Sequence, residues 1–396
     1  MVDLDDAFGE GSLVHPLAGA ASSVDLFSAV ARLAGGGVRA SDNASELGDA
    51  IGHHDHYLFV LVDGLGVSLQ DRFPRGGFFT TSLARPLNSV FPSTTAVALT
   101  SLATAAWPAE HGITGWFTYF PEHRRVIAPL LFRERATDIA GGEIGLGMND
   151  LVTEKPVLGS FFRTVASVLP KEISTGEYAT WSRAGTPIVP YRSFEHARRI
   201  LTRLYRRPAG PTYTYLYLLT VDKLSHVHGS SSDEVAAEVR RVDGMLARVR
   251  ESIPPSVRMI VTADHGLVDV PRERHYELHD DDPLARHLLA GQTGEAAAPV
   301  FHVEPGTDEQ SFLDAFTAHP ASASFSLFRT SELARRGVYG PVPLSDAASL
   351  HLGDYVGIAT DPATLEYVPD GRTAVAHVGV HGGLRPGEIQ VPLFLA

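Results

Sequence analysis

Tyr57-Leu58-Phe59-Val60-Leu61-Val62-Asp63-Gly64 is the stretch that decides the fold. An unbroken apolar run of this length predicts a strand buried on both faces, as in a parallel sheet covered by helices. It stops at Asp63-Gly64. Asp-Gly is a turn former. At the carboxyl end of a buried strand it also stands where open α/β sheets gather ligands. The pattern recurs twice. Tyr213 to Leu219 delivers Asp222-Lys223-Leu224-Ser225-His226, and Val257 to Thr262 delivers Ala263-Asp264-His265-Gly266. Between them, Ser231 to Ile253 reads as a long amphipathic helix, with Ser231 and Glu234 at capping-box spacing. This rhythm predicts an α/β protein with a doubly wound, mostly parallel sheet.

A second stretch, Ser89-Val90-Phe91-Pro92-Ser93-Thr94-Thr95-Ala96-Val97-Ala98-Leu99-Thr100, reads as a strand end that breaks at Pro92 and enters an apolar helix running to about Ala106. Ser93, Thr94 and Thr95 sit at the break. Hydroxyls there are ordinary helix caps. The same place offers backbone N–H groups and the positive end of a helix dipole, which suit an anion.

Elsewhere, residues 1–22 read as an irregular lead-in. Helices are predicted over Asp25–Leu33, Ala44–Ile51, Val157–Leu169 and Phe194–Arg206, and a last strand over Ile389–Leu395. The cluster His53-His54-Asp55-His56 precedes its strand and is read as a surface loop, because ligands gather at the other strand end. Trp116, Phe117, Tyr119 and Phe120 form an aromatic cluster, either core or a wall for a flat ligand ring. Residues 271–370 change to short strand-like pieces, Pro-rich turns and the acidic loop His279-Asp280-Asp281-Asp282. They are read as a cap inserted into a core of residues 1–270 and 371–396.

Composition narrows the function. The 396 residues are 44% hydrophobic with no cysteine, so disulfides, thiolate metal sites and cysteine nucleophiles are excluded. The formal net charge of −13 disfavours binding of a nucleic-acid polymer. A small anion remains possible where a local cation or metal outweighs that charge. The acidic start, Met1-Val2-Asp3-Leu4-Asp5-Asp6, is not that of a secretory signal. No run has the length and apolarity to span a bilayer. A cytoplasmic protein without a membrane partner is expected, compatible with a monomer.

Four places share one design, a carboxylate or imidazole just past a strand and at or near glycine: Asp63, Asp222 with His226, Asp264 with His265, and His381. Three carboxylates and three imidazoles suit two borderline divalent ions such as Zn²⁺ or Mn²⁺. With a hydroxyl-bearing helix start, the chemistry this suits is phosphoryl transfer.

The ordered set resembles the alkaline phosphatase superfamily, and within it the type I phosphodiesterase/nucleotide pyrophosphatase branch. The matching pieces are Val62-Asp63-Gly64, Phe91-Pro92-Ser93-Thr94-Thr95, Trp107-Pro108-Ala109-Glu110-His111-Gly112-Ile113, Asp222 through His226, Thr262-Ala263-Asp264-His265-Gly266, and His381-Gly382-Gly383 with Val391-Pro392. The resemblance implies that Asp222, His226 and His381 hold one metal. It implies that Asp63, Asp264 and His265 hold the other, with Thr95 bridging as the nucleophile; Ser93 and Thr94 are the alternatives. His111 is expected to pack the helix end. Such proteins usually carry an asparagine shortly after His-Gly-Ile, contacting a phosphate oxygen. Trp116 stands there, so that contact must come from elsewhere, from backbone N–H near Thr95 or from Lys223.

Within the superfamily the chain looks more like the actinobacterial phosphodiesterases that hydrolyse cyclic di-AMP to a linear dinucleotide and AMP. That substrate class makes Trp116, Phe117 and Tyr119 candidates to stack a base and Lys223 a candidate phosphate partner. The rivals are a broad nucleotide pyrophosphatase/phosphodiesterase, a phosphomonoesterase, and a metal-bound nucleotide-binding protein without turnover. A sulfatase is disfavoured, because its Cys or Ser before a Pro-x-Arg signature is absent.

Overall fold

The computed structural model describes residues 3–396; the first two residues of the acidic N-terminal segment lie outside them. A seven-stranded sheet forms its centre. The strands are β1 (His56–Val62), β2 (Leu83–Asn88), β3 (Thr164–Pro170), β4 (Ile188–Tyr191), β5 (Thr212–Leu218), β6 (Val257–Thr262) and β7 (Gln390–Leu395), in the order β2-β7-β6-β1-β5-β3-β4. All neighbouring pairs are parallel except those of β7, which runs antiparallel to both β2 and β6.

Helices cover both faces, which explains why β1 is apolar along its length. One group packs α1 (Ser23–Leu33) against α2 (Asp42–Ile51) and α3 (Thr95–Thr104). The other packs α4 (Phe194–Tyr205) and α5 (Thr220–His228) against α6 (Asp233–Ser252). A second apolar cluster, including Leu278, Phe301, Phe312 and Phe325, gathers around an antiparallel four-stranded sheet of Thr293–Glu295, Ala298–Phe301, Tyr355–Ala359 and Phe325–Arg329. No helix among the described residues is long and apolar enough to cross a membrane.

The register sets the site. Val62 lies beside Leu218 and Leu61 beside Thr262, so the chain leaves β1, β5 and β6 along one edge of the sheet. The antiparallel course of β7 brings the segment before it, with His381, to that edge. Asn88 pairs with Gln390, so β2 ends there too and hands the chain to Ser89–Thr95. His53, His54 and His56 lie at or before the start of β1, at the opposite edge.

Three expectations are corrected. The lead-in contains a helix, Leu4–Glu10, capped by the Asp3 side chain. Val157–Leu169 is not a helix: a 3-10 turn, Val157–Ser160, leads into β3, whose residues from Val165 onward are buried in the sheet. The cap of α6 is Ser232, which accepts a hydrogen bond from the Val235 N–H, one residue beyond the Ser231 of the expected box.

Candidate active site

Three hydroxyls at the start of α3 go three ways. Ser93 donates to the Gly383 carbonyl at 2.7 Å and ties this turn to the segment before β7. Thr94 occupies the cap position, yet no side chain caps the helix. The first-turn N–H groups therefore remain available to an anion, as the sequence anticipates. Thr95 Oγ1 lies 3.0 Å from His265 Nε2. His265 Nδ1 is 3.0 Å from its Gly266 carbonyl partner, which requires the proton on Nδ1. Its Nε2 is then bare and accepts from the Thr95 hydroxyl.

Around Thr95 the structure gathers the carboxylates and imidazoles named from the sequence. His265 Nε2 is 3.4 Å from Asp63 Oδ1 and 3.6 Å from Asp264 Oδ2. His226 Nε2 is 3.3 Å from Asp222 Oδ1, and His381 Nε2 is 3.9 Å from the same oxygen. The His381 ring stacks on His265 at 3.8 Å. Two sets of donor atoms are close enough to share an ion: Asp222, His226 and His381, and Asp63, Asp222 and His265. Asp264 adjoins the second, its Oδ1 held by the N–H groups of Gly64 and His265.

The donor chemistry fits cations. His226 Nδ1 lies 2.8 Å from the Gly379 carbonyl and must carry a proton, so its Nε2 presents a lone pair to the carboxylate it faces. A ring N–H spent on a backbone carbonyl is the usual outer support of a metal-binding histidine. Asp63 Oδ1, Asp222 Oδ1, Asp264 Oδ2 and His381 Nδ1 are all buried without a hydrogen-bond partner among the described residues. Orphaned buried acceptors cost about 1–3 kcal/mol each, more when charged, so the three carboxylate oxygens in one place call for a positive partner.

The titration directions agree. Burial, then the charges of Asp264 and Asp222, push Asp63 well above the usual carboxylate range, against a hydrogen bond from the Tyr217 hydroxyl. Burial acts to raise Asp222, but in the metal-free pair a protonated His226, which the same carboxylate favours, outweighs it and holds Asp222 low; a cation would take the place of that Nε2 proton. Burial, then the neighbouring imidazoles His265 and His226, drive His381 well below the ordinary histidine value.

A cavity of about 440 Å³ opens over these groups, lined by Thr95, Asp222, His226 and His381 on one side and by Trp116, Phe117 and Glu295 on the other. Trp116, an expected base contact, does line it. Tyr119 does not: it is buried and lines a neighbouring cavity. Lys223 is exposed and lines neither, so the phosphate contact expected of it has no geometric support. His111 sits away from the cavity, at the end of α3, against Ser101 Oγ at 3.0 Å.

Sequence reasoning missed Glu295. Its carboxylate accepts from the Trp116 N–H, and burial lifts its pKa to about 7 against the Thr94 side chain and that N–H. It comes from the four-stranded sheet of residues 293–359, and no motif marks it. His377 was also passed over: its ring lies 4.4 Å from that of His226, and it lines the cavity.

Solved structures share the fold at low identity. Murine ectonucleotide pyrophosphatase/phosphodiesterase 5 is 16% identical, with a TM-score of 0.64 over 85% of this chain and 87% of its own. The human protein of that name gives 15% and 0.65, over 86% and 87%. Phosphonoacetate hydrolase from Sinorhizobium meliloti 1021 gives 17% and 0.59, over 86% and 89%. No curated protein matches in sequence. The family model of the type I phosphodiesterases/nucleotide pyrophosphatases matches residues 57–322, and the chain belongs to that family. It is by membership a phosphoric diester hydrolase.

Proposed function

We infer that the chain is a metal-dependent phosphodiesterase acting on a nucleotide second messenger, with cyclic di-AMP, opened to the linear dinucleotide and cleaved on to AMP, as its substrate. One observation carries the catalytic part: the Thr95 hydroxyl points at a bare imidazole nitrogen amid buried, unpartnered carboxylate oxygens. Asp222, His226 and His381 would hold one divalent ion. Asp63, Asp264 and His265, with Thr95, would hold the other, Mn²⁺ or Zn²⁺ in both cases. Bound there, such ions neutralise phosphate charge and make a coordinated hydroxyl acidic.

The residues of the chain divide the remaining work. Thr95 Oγ1 gives up its proton to solvent and attacks phosphorus, forming a threonine phosphoester as the bond to the departing sugar oxygen breaks and that oxygen takes a proton from water. Water then attacks the same phosphorus and releases Thr95. The N–H groups at the start of α3 face the phosphoryl oxygens and supply the contact expected of the missing asparagine, while the Trp116 backbone N–H is held by Glu295. Trp116 and Phe117 offer ring faces to a base. The murine relative has been solved in complex with AMP, which supports an adenine nucleotide as ligand.

Purified protein supplied with Mn²⁺ or Zn²⁺ should hydrolyse cyclic di-AMP in a panel of cyclic dinucleotides, linear dinucleotides and simple monoesters. Turnover of no cyclic dinucleotide refutes the substrate. Hydrolysis of many unrelated nucleotide diesters at similar rates favours the broad pyrophosphatase/phosphodiesterase reading.

A further inference from the structure

A second cavity, of about 380 Å³, adjoins the catalytic one; Arg135 and Tyr367 line both. Each is within the roughly 300–1,000 Å³ of small-molecule sites. We propose that the second cavity is a subsite for the distal nucleotide of a dinucleotide whose scissile phosphate lies at Thr95. This rests on the proposed reading of the substrate as a dinucleotide.

The charges around the cavity decide what it takes. Two of its three guanidinium groups are committed. Arg125 pairs with Glu134. Arg135 donates to the carbonyls of Ala290 and Gln292 and lies over the Tyr367 ring at 4.6 Å. Both bordering carboxylates are also occupied. Glu134 takes Arg125 and the Thr137 hydroxyl, and Asp280 takes the Tyr367 hydroxyl and the Asp370 N–H. Arg124 is left. It is exposed, and its side chain has no hydrogen bond or ion pair among the described residues. Within this cavity Arg124 is the charged group not already paired, and its planar fork matches a phosphate.

The remaining walls suit the rest of a nucleotide. Leu288, Leu289 and Pro369 give an apolar flank, and Leu289 is 41% exposed. Tyr119 is held edge-on against His302 at 4.8 Å, and Tyr367 is fixed by Arg135 and Asp280. Rigid rings beside aliphatic groups favour a base and sugar over a bare anion. The aromatic residues named from the sequence are thus divided, Trp116 in the catalytic cavity and Tyr119 in the second.

The test compares two substrates on one enzyme: cyclic di-AMP, and the p-nitrophenyl ester of thymidine 5′-monophosphate, which has one nucleoside. The readout is the ratio of their kcat/KM values. Arg124→Ala removes the free cation. Ala136→Trp fills the cavity from its exposed rim. Each should lower the ratio about tenfold, mainly through the KM for the dinucleotide. An unchanged ratio in both variants overturns the subsite and leaves the substrate reading intact. Equal collapse of both activities overturns it too, by making the cavity part of the catalytic fold. Wild-type protein that cleaves the ester but no dinucleotide overturns the substrate reading, and this proposal with it.

Discussion

At the scale of the residue, His111 shows how a motif histidine serves structure. The Ile113 N–H donates to its Nδ1 at 3.1 Å, which fixes the tautomer; Nε2–H then donates to Ser101. A second proton has no place to go, and burial drives the pKa down to about 3. The unfolded chain protonates near 6.5, so the stabilisation is whole above that pH and fades as pH falls toward 3. At pH 5.5 the linked loss is about 1.4 kcal/mol. His111→Gln should remove that slope, so urea unfolding at pH 7.5 and 5.5 should show the wild type losing about 1.4 kcal/mol more than the variant. Equal losses would mean that His111 is protonated in the fold. Individual site residues were readable because each stands just beyond a strand end. Glu295, Arg135 and Tyr367 were not, since they face the cavity only through tertiary packing and carry no local signature.

At the scale of the element, the site depends on loops that touch backbone to backbone. Gly64, at φ +73°, faces the Asp222 backbone, where a Cβ would lie 2.8 Å from Cα. A Cβ on Gly266 would lie 2.3 Å from the Gly387 carbonyl oxygen and 2.8 Å from the Gly66 Cα. The loop after β1 and the turn before β7 therefore both close on Gly266, the neighbour of His265. Gly266→Ala should destabilise the fold by about 2–4 kcal/mol and lower kcat/KM by about tenfold or more, measured by urea unfolding and steady-state rates. A variant with wild-type values in both would show that these loops are slack. Buried strands flanked by Asp-Gly and His-Gly motifs were legible for the same reason that they pack: unbroken apolar runs have few other uses. The β3 segment was misread because a short apolar run has no periodicity to separate strand from helix. Strand β4 went unseen, and β2 was read only as a strand end before Pro92, because it lies on an edge with its first residues exposed.

At the scale of the whole molecule, five segments far apart in sequence meet at one sheet edge and assemble a cluster of acids. Without a cation that cluster opposes folding: like charges lie in a low dielectric, and Asp63 is neutral over part of the pH range only because its pKa is raised. Ions that bind only the folded state stabilise it by mass action, by about 2.7 kcal/mol at a hundred times Kd. Adding Mn²⁺ or Zn²⁺ to chelator-stripped protein should raise Tm by about 3–5 °C, and Asp264→Asn should shrink the rise. An unchanged Tm for the wild type would count against the metal site. The fold class was evident from the order of motifs, because a doubly wound sheet repeats its unit along the chain. The adjoining cavities were not, because their walls join residues 116–135 to residues 275–380 across the fold.

The most direct test of the account is the hydrolysis rate of Thr95→Ala, measured beside the wild type on cyclic di-AMP, with bound metal quantified in both. The account predicts a loss of about a thousandfold or more, with Tm preserved and most of the metal retained. Turnover within about tenfold of the wild type, in a folded and metal-loaded variant, would contradict it.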